Sequence, residues 1–516
     1  RTRPTASPAR CTPGIASAQR RCEHGRVSAD RAPTDTAQTP DTGFFGQPRP
    51  LATLFGVELW ERFSFYGMQG ILLLYLYYSV ADGGLAIPES VAAGIVGAYG
   101  GGVYLSTILG AWIADRVLSA ERTLFISAAV VMCGHIALAI IPGVAGVAVG
   151  LILIAVGSGG VKATATTLVG TLYSRDDTRR DAGFSLYYLG INLGAFFGPL
   201  LTGLLQSTLG FHFGFGLAAI GMAAGLTQYA IGRRRLPGIA REIPNPLPRQ
   251  HYPRMAIVAA AGIAIIVVVV LLGWITAENL ASVVIGVIVV ASVAYFVVIV
   301  RSRAITADER SRVFAFIPLF LASVGFWALY QQQFTVLTIY ADQRLNRDLF
   351  GWEFPVSWVQ SINPIYIIVL SGVFAALWTR LGTRQPSTPV KFALGTAGVG
   401  LAFLLFIPFA GTGENGTPIY AILVILLVFT VAELLLSPVG LSISTKLAPG
   451  KFRTQMVALF FLSIALGTAL SGSLAGLYNP DDEVPYFGVL GLIAVALGAL
   501  LLLGTRPVLR LMRGVR

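Results

Sequence analysis

From residue 51 to residue 505 the chain alternates between long apolar runs and short polar breaks. A helix that crosses a bilayer needs roughly 20 mostly apolar residues. Runs of that kind predict spans at 51–79, 91–114, 123–141, 145–172, 182–206 and 211–232. A polar break, RRRLPGIAREIPNPLPRQHYPR, comes next, followed by two very apolar runs at 255–274 and 279–300. Six more lie at 313–340, 355–380, 390–410, 418–445, 454–477 and 486–505. The pattern predicts an all-α membrane protein with 14 transmembrane helices, arranged as two six-helix bundles plus two inserted helices. The bundles are expected at 49–235 and 303–506, with the linker and inserted pair at 236–302.

The ends read differently. Residues 1–48 are rich in Arg, Pro, Thr, Ala and Ser with no apolar period to bury, so a disordered tail is expected there. The tail contains no apolar stretch of the kind a signal peptide needs. Residues 507–516 read as a basic C-terminal tail. Loop charge sets the orientation, because cytoplasmic connections collect Lys and Arg. Arg116 and Arg122, the 233–254 segment, Arg301 to Arg312, Arg380 to Lys391 and Lys446 to Arg453 all fall on one side with both termini. The opposite loops hold Asp82, Glu89, Glu278, Glu414 and the 481–483 acids, and only Arg344 and Arg347 break the rule. Both termini are therefore expected in the cytoplasm.

Composition narrows the class. Of 516 residues, 55% are hydrophobic and 12% charged, about half the charge of a soluble domain. A formal charge of +12 raises the question of nucleic acid, but the basic residues lie in short groups between apolar runs rather than on one face. No nucleic-acid partner is expected; the partner is the lipid bilayer. The three cysteines and four histidines show no ligand spacing, and no nucleotide-binding loop is present. No metal and no cofactor is expected, and an intramembrane enzyme is a poor fit.

The chemistry lies in the charges that the membrane ought to exclude. Only Arg62 and Lys162 among the bases, and Glu58, Glu61 and Glu433 among the acids, fall well inside predicted spans. Each costs at least about 2.5–3.5 kcal/mol at mid-membrane, so the five are expected to face a cavity and pair with one another. Glu58, Glu61 and Arg62 stand at i, i+3 and i+4 on one helical face. A static ion-pair staple would use the same residues, but two carboxylates beside one guanidinium leave one free to exchange a proton. Lys162, in GSGGVKATATT, needs an anion: Glu58, Glu61 or a ligand carboxylate. Glu433, with Ser437 one turn on, suits a cationic group such as an amine. Three glutamates against two bases leave a net charge of −1, which one proton neutralises. Between spans 2 and 3, GAWIADRVLSAER lets Gly110 make a tight exit and offers Asp115, Arg116 and Arg122 as charges of a cytoplasmic gate.

These motifs resemble a known family. ELWERFSFYGMQ is similar to the ExxERFxYYG first-helix signature of the proton-dependent oligopeptide transporters, a branch of the major facilitator superfamily. FSLYYLGINLGAFFGP, GSGGVKATAT and AELLLSPVGLS resemble its fifth-, fourth- and tenth-helix motifs, and the two extra central helices match the bacterial members. The resemblance implies a monomeric major facilitator fold in a bacterial plasma membrane, importing di- and tripeptides with protons as the coupling ion. It implies Glu58, Glu61, Arg62 and Lys162 in proton coupling, with Arg62 and Lys162 near the peptide carboxylate. It places Glu433 and Asn363 near the peptide amine and Asn192 on its backbone. Tyr66, Tyr104, Trp327, Gln331 and Ser437 would complete the pocket.

Two departures stand out. Phe65-Tyr66 replaces the usual tyrosine pair, and Gln331 in FWALYQQQFTVL occupies the place of a common glutamate. A glutamine cannot titrate, which leaves Asp342 as the nearest replacement for a gate charge. The competing reading is a proton-linked transporter of another small anion, a nitrate-like solute or a drug on the same fold.

Overall fold

The computed structural model describes residues 42–174 and 176–515. Residues 1–41, which hold most of the expected tail, lie outside the described residues. Residues 42–48 are not a tail: Phe44 pairs with Gln47, and the Tyr173 hydroxyl donates to Oε1 of the buried Gln47 at 3.0 Å.

The first six helices are α1 (Arg49–Tyr77), α2 (Glu89–Arg116), α3 (Ala120–Ile140), α4 (Gly143–Gly170), α5 (Arg180–Leu209) and α6 (Phe211–Gly232). The inserted pair is α7 (Tyr252–Leu271) and α8 (Leu280–Arg301). The second set is α9 (Ala307–Tyr330), α10 (Val336–Gln343), α11 (Ile362–Leu381), α12 (Thr388–Leu404), α13 (Ile419–Lys446), α14 (Arg453–Ala475) and α15 (Glu483–Leu503). A short α16 (Thr505–Leu511) follows, buries Val508 and accepts a bond from Ser311, so the first half of the expected C-terminal tail is helical.

Thirteen spans are long and apolar enough to cross a membrane, counting α9 and α10 together. The fourteenth is α1, whose hydropathy is lowered by Glu58, Glu61, Arg62 and Gln69. That helix buries these polar groups against α5 and α6, so no membrane lipid has to accommodate them.

Three departures from the expected pattern have physical causes. Span nine breaks at a 3-10 turn, Gln331–Phe334, because the freed backbone is re-satisfied locally: Thr338 donates to the Gln333 carbonyl at 3.1 Å. The chain is otherwise α-helical, but a hairpin pairs Asp348–Leu349 with Trp352–Glu353 between α10 and α11. Phe350 and Gly351 take positive φ at its tip, as a two-residue hairpin turn demands. Gly110 does not make the exit from α2, which runs on to Arg116. A side chain there would meet Gly160 of α4 at 2.6 Å, so it is a helix-contact residue.

Helices α1–α6 pack mainly on one another, as do α9 and α11–α15. The two sets meet along α2 and α14, and where α5 meets the turn that leads into α11. The inserted α8 packs on both α2 and α14, across that seam, whereas α7 has no buried residue. At the seam a Cβ on Gly472 would come within 2.8 Å of Gly97 Cα and 2.5 Å of the Ala93 carbonyl oxygen. Both are backbone atoms and cannot give way. Gly472→Val is therefore expected to force the helices apart and cost about 1–3 kcal/mol. Thermal unfolding of the purified protein should show a lower midpoint, with no such drop for Gly102→Ala, whose surroundings are open.

Candidate functional site

Helix α1 brings its three charges together by periodicity alone. Arg62 Nε donates to Glu58 Oε1 at 2.8 Å and lies 3.1 Å from Glu61 Oε2. All three are buried, at 6%, 2% and 0% exposure for Arg62, Glu58 and Glu61, deep enough that no bulk water screens them. Neighbouring helices supply the remaining bonds. Tyr187 of α5 donates to Glu58 Oε2 at 2.7 Å, and Ser158 of α4 donates to Glu61 Oε1 at 3.1 Å. Two carboxylates and one guanidinium form a knot of net charge −1.

Lys162 does not join it. No carboxylate among the described residues lies within 4.0 Å of its ammonium, which stands 4.4 Å from the Tyr104 ring centre and 4.9 Å from that of Phe65. Arg62 stands 5.9 Å from the same Phe65 ring. The expectation that all five buried charges pair directly is therefore corrected. An aromatic face stabilises a desolvated cation without neutralising it. Phe65 serves both cations as a ring, a role that needs no hydroxyl.

A cavity of about 310 Å³ lies between the two helix sets. Tyr66, Tyr104, Asn192, Trp327, Gln331, Asn363, Glu433 and Ser437 all line it. Arg62 and Lys162 do not: Phe65 and Tyr104, which do, pack against them. In this conformation neither base lines the cavity directly.

On the far wall Glu433 accepts from the Tyr330 hydroxyl at 2.5 Å, and no cation pairs with it among the described residues. Tyr330 also reaches Asn363 Oδ1 at 3.3 Å, and Asn363 donates to Thr430 at 3.0 Å. Gln331 donates to Thr468 at 3.1 Å, and Asn192 to the Tyr188 carbonyl at 2.9 Å. Tyr330, Gln333, Gln360 and Thr468 were not singled out from the sequence. For Tyr330 and Gln333 the signal was there: YQQQ is a polar run inside an apolar span. Buried Trp327 Nε1, Gln69 Oε1 and Gln360 Oε1 have no hydrogen-bond partner among the described residues.

The cavity is closed at the hairpin end. Asp342 of α10 accepts the hydroxyls of Tyr77 and Tyr78, at the end of α1, the latter at 2.7 Å. Gln343 donates to Glu89 of α2 at 2.8 Å, and Ser357 and Ser361 to carbonyls of α5. Asp342 thus links the two helix sets and does not face the cavity. The two arginines on the unexpected side are both neutralised: Arg344 lies 3.3 Å from Glu483, and Arg347 2.6 Å from Glu353.

Asp342→Asn removes the charge that two phenols share, worth about 1.5–3 kcal/mol per bond to a charged group. The expected result is faster labelling, from the hairpin side, of a cysteine placed at Gln360. An unchanged rate would show that the latch is ornamental.

At the opposite end a second hollow, of about 950 Å³, shares Tyr188 and Ser437 with the cavity and is otherwise bordered by the second helix set, including Trp378, Lys391 and Lys446. The expected gate charges do not cross it. Asn245 of the linker donates to both Asp115 carboxylate oxygens at 3.0 Å, and the Leu247 amide to the Arg116 carbonyl at 2.8 Å. Among the described residues Arg116 pairs only with Asp115, at 4.0 Å, and Arg122 borders a hollow shared with the end of α6.

Comparison with known proteins agrees with this architecture. The POT family model, PTR2, matches residues 121–493, more than half of the chain. An uncharacterized transporter of Bacillus subtilis (strain 168) is 42% identical over 483 residues, covering 92% of this chain and 97% of its own. A di-/tripeptide transporter of Lactococcus lactis subsp. cremoris is 41% identical, covering 92% of this chain and 98% of its own. The crystal structure of a peptide transporter POT, a glutamate-to-glutamine variant bound to alafosfalin, superposes with a TM-score of 0.88 at 44% identity. It covers 93% of this chain and 98% of its own. Fold, charged helix and central cavity converge: the chain belongs to the POT family, as a multi-pass membrane transporter and not an enzyme.

Proposed function

We propose that this chain is a proton-coupled symporter that imports di- and tripeptides, by alternating access between the bundles 49–235 and 303–506. The observation that carries this reading is the separation of charge about one cavity. Glu433 stands on one wall without a cationic partner among the described residues; on the other, Lys162 lies one aromatic ring behind the lining. A short peptide with free ends presents the complementary pair, an ammonium and a carboxylate. Unused amide and indole groups at Gln69, Gln360 and Trp327 suit its peptide bonds.

The proton enters through the charge sum. Glu58, Glu61 and Glu433 against Arg62 and Lys162 leave −1, one proton brings the site to zero, and a zwitterion adds nothing. A loaded, neutral site is the cheapest species to occlude in the bilayer. The Lactococcus relative is a di-/tripeptide transporter, which supports the same substrate class here.

The basic loops support cytoplasmic termini and a bacterial plasma membrane. With that orientation the present conformation, closed at the hairpin and open past Tyr188, faces inward. The test is uptake of labelled di-alanine into proteoliposomes under an inward proton gradient, with nitrate and free amino acids as competitors. Competition by other dipeptides alone supports the reading; competition by nitrate overturns the substrate class.

A further inference from the structure

Away from the central cavity, an open hollow of about 670 Å³ lies where α3 begins and α6 ends. Glu121, Arg122 and Phe125 of α3 border it with Arg233, Arg234 and Arg241 from the chain after α6. Part of this cluster is a fixed frame. Arg233 pairs with buried Glu121 and lies 4.2 Å from the Phe125 ring centre. Arg241 Nη2 donates to the carbonyls of Arg233 and Arg234 at 3.3 and 3.2 Å.

Arg122 and Arg234 are not used in that frame. Neither guanidinium has a hydrogen bond or ion pair among the described residues, although both border the same hollow. Four arginines against one glutamate leave a local charge of +3. Beside the guanidinia the surface turns apolar: Phe125 of α3 and Ala230 of α6 line the hollow, and Ile231, three residues before Arg234, is 71% exposed. Guanidinium forks suit phosphate oxygens, and a cationic rim above an apolar wall suits a molecule with an anionic head and a hydrocarbon tail.

We propose that this hollow binds the phosphate of an anionic phospholipid. Arg122 and Arg234 hold the headgroup, and the chains run down past Phe125, Ala230 and Ile231. With the termini in the cytoplasm, the lipid belongs to the inner leaflet. Peptide recognition plays no part in the argument, so the site stands or falls independently of the transported substrate.

The test uses the purified full-length protein in detergent, with bound lipid counted by native mass spectrometry. The probes are dioctanoyl phosphatidylglycerol, dioctanoyl phosphatidylcholine and inorganic phosphate. The double variant Arg122→Gln, Arg234→Gln is expected to bind phosphatidylglycerol about tenfold or more weakly than the wild type. Phosphatidylcholine binding should not change. A comparison variant, Arg506→Gln with Arg510→Gln, alters charge on the same side and should leave phosphatidylglycerol binding intact. Unaltered unfolding midpoints will show that each variant is folded. Equal phosphatidylglycerol affinity in wild type and the Arg122/Arg234 variant overturns the proposal. An equal loss in the Arg506/Arg510 variant does so too, because bulk charge would then suffice. Displacement of the lipid by equimolar inorganic phosphate also overturns it, in favour of a free-anion site.

Discussion

Glu58→Gln is expected to abolish accumulation of di-alanine driven by an inward proton gradient, while exchange of labelled for unlabelled peptide stays measurable. Glutamine keeps the length and most of the bonding of the side chain. Its amide oxygen can accept from Arg62, and its amide nitrogen can donate to the Tyr187 hydroxyl that now donates to Glu58. The fold of α1 therefore has little reason to change. What changes is charge: the Glu58, Glu61 and Arg62 knot goes from −1 to neutral, and the empty site no longer needs a proton to become neutral. Peptide can then bind and cross without a proton, so a pH gradient no longer drives it uphill. Gradient-driven uptake should fall to the level set by peptide equilibration, a loss of the whole accumulation ratio. Wild-type accumulation by the variant would remove Glu58 from coupling.

The second large effect is expected at the other wall. Glu433→Gln should raise the KM for di-alanine on the order of 30-fold to several-thousandfold, because truncating one partner of a buried charge pair costs about 2–5 kcal/mol. Glu433 accepts a hydrogen bond from Tyr330, and a glutamine at this position would keep that neutral contact while losing the charge that attracts an ammonium. The discriminating ligand is N-acetyl-di-alanine, which has no ammonium. Its weak uptake should be the same in wild type and variant. If the variant lowers both ligands alike, Glu433 holds the second bundle together and does not read the peptide amine.

The fold was legible because a bilayer imposes one simple rule on sequence. Apolar runs of the right length, with arginines gathered on alternate loops, locate the spans within a few residues. The knot was legible for a related reason. Three charges in mid-membrane at i, i+3 and i+4 are too costly to be incidental, and helix geometry puts them on one face. What lay beyond sequence depends on contacts between distant segments. The two rings that hold Lys162 come from α1 and α2, and the partner of Glu433 lies 103 residues away. The partner of Asp115 was hidden for the same reason: Asn245, in a linker with no periodicity of its own, donates to the carboxylate in this conformation. The break in span nine was hidden as well. Tyr-Gln-Gln-Gln-Phe contains neither Gly nor Pro, and its unwinding depends on the bonds that Thr335 and Thr338 make after the chain has folded.

One measurement bears most directly on a buried carboxylate pair that binds a proton together with a peptide. Purified wild-type protein is placed in liposomes loaded with a pH-sensitive dye at equal pH on both sides, and di-alanine is added outside. The lumen should acidify in step with peptide entry, and the acidification should vanish in Glu58→Gln. Peptide entry with no change of luminal pH in the wild type would contradict proton coupling altogether.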